Sequence, residues 1–267
     1  MDSQVSFQSM PSRLRTQRFT DVIQEFLFPI ENEIYANEDW TEERVFVLKR
    51  QLEELLAPLQ EKLNNSISDI ANAFFVELHH VQEMLKEDAV FFEKSDPAAE
   101  SIEEIIVTYP GFTAIVAYRV AHILYQLNVP ILPRLITEYA HSKTGIDIHP
   151  GAKIDAPFFI DHGTGIVIGQ TTIIGKNVKI YQGVTLGALA VLKEEAGTKR
   201  HPTIQNNVII YAGSCILGGN TVVGHDSIIG GNVFLTESIP PFSFAYQKSE
   251  VKIRDKSEMK HVIDFVI

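Results

Sequence analysis

Asp147-Ile-His-Pro-Gly-Ala-Lys-Ile154-Asp-Ala-Pro-Phe-Phe-Ile160-Asp-His-Gly-Thr-Gly-Ile166 decides the fold. Its aliphatics Ile148, Ile154, Ile160 and Ile166 stand six apart, and the period continues through Thr172, Val178 and Val184. A second run follows at Ile204, Ile210, Ile216, Val222, Ile228 and Phe234. Gly151, Gly163, Gly169, Gly175 and Gly187 fall three residues after the repeating residue, as do Gly213, Gly219 and Gly231 in the second run. No helix has a period of six, and a simple alternating strand does not place glycine this way. The pattern predicts a solenoid in which each hexad supplies one short strand and one corner, with its aliphatic stacked inward on those of neighbouring coils. Glycine or asparagine at a corner allows backbone angles that other residues resist, and Asn177, Asn207, Asn220 and Asn232 fit such corners. Val184 and Ile204 are twenty residues apart, which is not a multiple of six. Leu189 to Lys199 is therefore predicted to leave the solenoid as a protruding loop, a common place for function.

Working outward, residues before 143 carry a helical pattern with little glycine. Apolar residues spaced by threes and fours predict helices over Asp21–Tyr35, Glu42–Leu63, Ser66–Phe92, Ala98–Val107, Gly111–Leu127 and Ile131–Ser142. Pro97, Pro110, Pro130 and Pro133 sit at or near helix starts, where proline is tolerated. The predicted class is α+β. Residues 1–142 form an α-helical domain, 143–242 a left-handed parallel β-helix with a protruding loop, and 243–267 a tail.

A net charge of −11 argues against a broad nucleic-acid-binding surface. The amino terminus lacks the basic patch and apolar run of a secretory signal, and no stretch reads as a membrane span. Cys215 is the single cysteine, which excludes an intrachain disulfide and fits a reducing compartment. A cytoplasmic location is expected.

Four motifs occur in order: Asp96-Pro-Ala98, the opening Asp147-Ile-His-Pro, Asp161-His-Gly-Thr-Gly165 and Arg200-His-Pro202. Gly111-Phe112 and Ala117-Tyr-Arg-Val-Ala-His122 accompany them. From about Asp96 to about Pro241 the chain resembles the serine O-acetyltransferases, hexapeptide-repeat acyltransferases that move acetyl from acetyl-CoA to the hydroxyl of L-serine. Residues 1–95 share only a helical, acidic character with them.

Serine's hydroxyl is a poor nucleophile at neutral pH and needs a positioned base. Histidine, with an unperturbed pKa near 6.5, suits the task. The resemblance implies His162 as this base and Asp147 as the carboxylate that orients it. It implies Asp96 and Asp161 for the substrate ammonium, Arg200 for its carboxylate and His201 beside the reacting centre, where it helps hold substrate or stabilises the oxyanion. It places Gly187, Ala188, Ala212 and Gly213 along acetyl-CoA and expects no metal. It further implies a homotrimer or dimer of trimers with sites between adjacent subunits, cysteine as an inhibitor at the serine site, and binding of cysteine synthase through Ile267. Two segments depart from the family pattern: Ala188-Leu-Ala-Val-Leu192 replaces a glycine-rich loop, and Phe244-Ala-Tyr-Gln-Lys-Ser249 replaces a segment flanking CoA.

Three rival readings compete. The first is a hexapeptide acyltransferase for another hydroxyl or amino acceptor. The second is a carbonic anhydrase with zinc on His162, His201 and His225. The third is an inactive scaffold for cysteine synthase. Asp96, directly before Pro97, also reads as a helix cap.

Overall fold

The computed structural model describes residues 10–29, 41–189 and 198–248. Among the described residues, six α-helices precede the strands: α1 (Arg13–Leu27), α2 (Glu42–Leu56), α3 (Ile67–Ser95), α4 (Ile102–Thr108), α5 (Pro110–Gln126) and α6 (Leu132–Thr144). Ser12, Thr41, Ser66 and Ser101 cap the first four, each side-chain oxygen accepting from a backbone N–H three residues on. These caps correct the predicted bounds. The Ser12 cap starts α1 eight residues before Asp21, and the helix ends at Leu27. The Ser101 cap moves α4 from Ala98 to Ile102. The Glu42–Leu63 pattern divides into α2 and a 3-10 turn over Ala57–Lys62, because Pro58 has no N–H for the α ladder.

Fourteen short strands follow among the described residues: β1 (Asp147–Ile148), β2 (Lys153–Ile154), β3 (Phe158–Asp161), β4 (Val167–Ile168), β5 (Ile173–Ile174), β6 (Val178–Tyr181), β7 (Thr185–Gly187), β8 (Thr203–Ile204), β9 (Ile209–Ile210), β10 (Cys215–Leu217), β11 (Val222–Val223), β12 (Ile228–Ile229), β13 (Phe234–Leu235) and β14 (Phe244–Ala245). They form three parallel sheets, the faces of a three-sided solenoid: β1-β4-β7-β10-β13, β2-β5-β8-β11 and β3-β6-β9-β12-β14. On the first sheet Ile148, Ile168, Leu186, Ile216 and Leu235 stack in register. On the second the stack is Ile154, Ile174, Ile204 and Val223. On the third it is Ile160, Ile180, Ile210, Ile229 and Ala245.

These stacks correct the hexad frame. Ile166, Thr172, Val178 and Val184 are buried, but they lie two residues before the stacked positions, at corners or, for Val178, at the start of β6. The frame shifts because Ile160 and Ile168 are eight residues apart, two more than a hexad, across Asp161–Gly165. From Leu186 to Ile204 is eighteen residues, so the inserted loop is in phase with the repeat. A further residue enters between Ile216 and Val223, at Gly218 (φ +104°). Below it Val223 and Ile229 point inward in place of Val222 and Ile228, and Phe234 is 68% exposed. Asn177, Asn207 and Asn232 hold positive φ at corners as expected, and Asn220 does not.

The helical half caps the first coil. An uncovered edge strand presents unpaired backbone groups, and α5 and α3 satisfy them. Tyr118 Oη donates to Ala152 O (2.7 Å) and accepts from Ile154 N (3.2 Å). Arg119 donates to Ile154 O (3.0 Å) and Asp155 O (3.3 Å), and Asp88 accepts from Phe158 N (2.8 Å). Arg119 and Asp88 also meet in a bidentate pair at 2.7 and 2.9 Å, with both side chains buried. Phe92 packs edge-on against Phe159 at 4.7 Å. A Cβ at Gly111 would lie 2.4 Å from Ile160 O, so only glycine lets α5 approach this closely. Among the described residues no helix is long and apolar enough to cross a membrane.

Removing one partner of a buried ion pair leaves a charge without compensation. Asp88→Ala should therefore lower unfolding stability by about 3–5 kcal/mol in urea denaturation. Asp88→Leu combined with Arg119→Met should recover only part of that loss, because Ile154 O, Asp155 O and Phe158 N then keep no side-chain partner.

Candidate active site

The eight-residue corner after β3 carries the first group of site residues. Asp161 ends β3, and the two extra residues push His162 out at φ +56° with its side chain 71% exposed. Gly163 (φ +83°) turns the chain back, and a Cβ there would lie 2.4 Å from Ile146 Cδ1. His162 Nδ1 is 3.7 Å from Asp161 Oδ1. Asp96 lies at the end of α3, where Oδ1 accepts from Ala98 N (2.8 Å) and Oδ2 from Tyr109 Oη (2.7 Å). Its side chain thus closes a turn onto Ala98 rather than capping the next helix, whose N-cap is Ser101, while its backbone N–H ends α3. The Tyr109 phenol is pushed up to about 12, first by its hydrogen bond to Asp96, then by burial and by the charges of Asp96, Glu104 and Asp161. Burial, Asp161, Tyr211 and Asp96 also raise Tyr181. Asp96 and Asp161 thus converge on one place, beside Tyr109, Tyr181 and the exposed imidazole of His162.

Asp147 opens β1, half-buried, with Oδ1 3.9 Å from Arg134 Nη1. Among the described residues it shares no hydrogen bond with His162. Its carboxylate gathers with Glu138 and His141, and Arg134 bridges Glu138 and Asp147.

The second group sits at another corner, between the first and second sheets. Arg200 and His201 bring the chain back to β8 and dock on the corner one coil earlier, at Gln170-Thr171. Thr171 Oγ1 accepts from the backbone N–H of Arg200 (3.0 Å) and of His201 (3.1 Å). Its own proton therefore goes to His201 Nδ1 (2.8 Å), which also accepts from Thr171 N (3.1 Å). The ring proton of His201 is left on Nε2, and the imidazole is a fixed donor. Burial, then Arg200 and Lys199, lower its pKa to about 4. The ring lies flat against Gly169, where a Cβ would be 2.0 Å from Cδ2. Arg200 Nη2 donates to Gln170 Oε1 (2.6 Å). His149 also falls to about 4, mainly through burial, with Arg134, Arg200 and His201 contributing. The extra residue at Gly218 serves the same corner one coil later: a Cβ at Gly219 would be 2.1 Å from Lys199 O, so glycine gives the returning loop its path.

One chain does not bring the two groups together. Asp96, Asp161 and His162 occupy the corner between the third and first sheets, and Arg200 and His201 the corner between the first and second. The four CoA-side positions divide likewise. Gly187 and Ala188 leave β7 at the second corner, and Ala212 and Gly213 (φ +71°) precede β10 at the first. Among the described residues His162, His201 and His225 do not meet as a ligand set within one chain. Ile267 lies outside the described residues. The sequence reading missed Tyr109, Gln170 and Thr171. Gln170-Thr171 interrupts the apolar repeat and signals a polar corner, whereas Tyr109 carries no local sign of its role.

No family model matches the chain. The plasmid serine acetyltransferase of Synechococcus elongatus is 50% identical over 190 residues, covering 69% of this chain and 59% of that relative, so the chain spans less than two thirds of it. The serine acetyltransferase of Bacillus subtilis is 49% identical over 160 residues, covering 60% of this chain and 71% of the relative. Entamoeba histolytica serine acetyltransferase 1, solved with L-cysteine, superposes with a TM-score of 0.76 at 33% identity, covering 89% of this chain and 87% of that one. A serine acetyltransferase solved with CoA superposes at 0.59 with 27% identity, covering 88% and 98%. The solenoid is the left-handed parallel β-helix of these proteins. Sharing that fold, and half its aligned residues with relatives across most of the Bacillus protein, the chain belongs to the serine acetyltransferase family.

Proposed function

We propose that the protein transfers acetyl from acetyl-CoA to the hydroxyl of L-serine, the first step of cysteine biosynthesis, in a site assembled from two copies of the chain. One observation carries this reading. Two corners of one solenoid hold complementary halves of an amino-acid site, carboxylates with an exposed histidine on one and arginine with a neutral histidine on the other. The ligands named for the relatives, L-cysteine and CoA, fit this reading. A trimer places the first corner of one subunit against the second corner of its neighbour, and two trimers joined through the helical halves give a hexamer.

In the assembled site Asp96 and Asp161 take the substrate ammonium, and Arg200 takes its carboxylate with two parallel hydrogen bonds. His162 accepts the hydroxyl proton as the serine oxygen attacks the thioester carbon, with Asp147 as its orienting carboxylate. The Nε2–H of His201 points a fixed donor at the oxygen that becomes negative. Collapse of the tetrahedral intermediate breaks the C–S bond, and the departing thiolate takes the proton from His162. Gly187, Ala188, Ala212 and Gly213 leave room for the pantetheine arm. Cysteine, which matches serine in shape and charge, competes at the same place. The tail ending in Ile267 is the proposed contact with cysteine synthase, and the cytoplasm the proposed location.

CoA release should depend on L-serine, with homoserine and glucosamine as poor acceptors, and His162→Ala should lower it by about 10²–10⁴-fold. Release only with glucosamine would keep the fold and sink the serine assignment. Co-expressed His162→Ala and Arg200→Ala chains should regain activity that neither has alone, since a mixed trimer contains one intact composite site. Absence of that recovery in verified mixed trimers would place the site within one chain. Gly169→Ala should displace the His201 ring and cut kcat at least tenfold while leaving the circular dichroism spectrum unchanged.

A further inference from the structure

Helix α5 begins beside one half-site and ends beside the other. Its 17 residues run about 25 Å along the edge of the first coil. Tyr109 precedes it, and Tyr125 lies in its last turn. Tyr109 Oη donates to Asp96 Oδ2 at 2.7 Å. At the far end Tyr125 Oη accepts from Gln170 Nε2 at 3.0 Å, and Gln170 Oε1 accepts from Arg200 Nη2 at 2.6 Å. Gln170 thus has both ends of its amide engaged, one on the helix and one on the guanidinium. The solenoid is shaped to receive Tyr125: a Cβ at Gly151 would lie 2.9 Å from its hydroxyl. Both hydroxyls stay half-buried and attached to a helix that Tyr118 and Arg119 bind to the first coil.

We infer that α5 sets the substrate-binding geometry of both half-sites, with Tyr109 positioning Asp96, and Tyr125 positioning Arg200 through Gln170. The inference rests on the serine-binding roles proposed above. None of the three side chains is assigned contact with the substrate. Each fixes the direction of a charged group that is. In an assembled trimer the two ends of one α5 belong to two neighbouring sites, so the helix sets the geometry of both.

The test compares Tyr109→Phe, Tyr125→Phe, Gln170→Leu and Gln170→Glu in the full-length protein, with Tyr139→Phe as control. Tyr139 makes the same kind of hydrogen bond, to Asp21 at 2.7 and 2.9 Å, away from either half-site. The first three should raise the serine KM, and the serine Kd from calorimetry, by about tenfold. Their KM for acetyl-CoA and their kcat should stay within twofold. Gln170→Glu keeps an acceptor for Arg200 and for the Tyr125 proton, and should stay within threefold of the native serine KM. Tyr139→Phe should leave both KM values unchanged. Serine KM and Kd within twofold of native in all three variants would overturn the inference. So would parallel losses in both KM values and in thermal stability, which mark a general structural role. A native chain that acetylates serine while these variants behave as native refutes the positioning alone. A native chain that neither binds nor acetylates serine refutes the functional reading and this inference with it.

Discussion

The buried pair of Asp88 and Arg119 sits at the centre of the joint between the helical half and the solenoid. A parallel solenoid satisfies its backbone only between coils, so its first coil has an edge with nothing above it. Arg119 and Asp88 meet that need at three backbone groups while neutralising each other. Burial still pushes the Asp88 carboxyl above its ordinary value against the pull of the guanidinium, so the pair works against desolvation. What it contributes is position: α3 and α5 have one seat on the first coil, and everything attached to those helices inherits it. Asp96, at the end of α3, is among the groups placed this way.

Regularity and function are divided along the solenoid. Strand positions repeat at six residues wherever the chain only builds the wall. Along the described solenoid the steps depart from six at four corners: after Ile160, between Leu186 and Ile204, between Ile216 and Val223, and between Leu235 and Ile239. His162 stands on the first departure, Arg200 and His201 on the second, and the third clears their path through Gly219. A side chain inside the repeat either fills the core or lies flat on a face.

This division explains what could be read from the sequence. The solenoid was legible because inward positions demand aliphatics at fixed spacing. Spacing alone gives the wrong frame because each hexad buries two positions, two residues apart, and the extra pair at Asp161–Gly165 moves the count from one set to the other. Val222 and Val223 are both apolar, so spacing alone cannot choose which of them points inward. The motif residues were legible through resemblance. Thr171 was not, because the threonine that fixes the His201 tautomer is thirty residues from it and joined only by folding. The same holds for Tyr109 and Asp96, which meet across the whole of α4. Charge direction and tautomer depend on such partners, and no local pattern encodes them.

His162 sits in the left-handed region at φ +56°. That conformation disfavours most side chains and suits glycine or asparagine better. Asn177, Asn207 and Asn232 occupy such corners elsewhere in the same solenoid. Random substitution would therefore tend to replace this histidine with something the backbone prefers. Drift toward a sturdier fold and retention of an exposed imidazole pull in opposite directions at this one residue. A descendant freed from the need for its chemistry should lose His162 early and keep the solenoid.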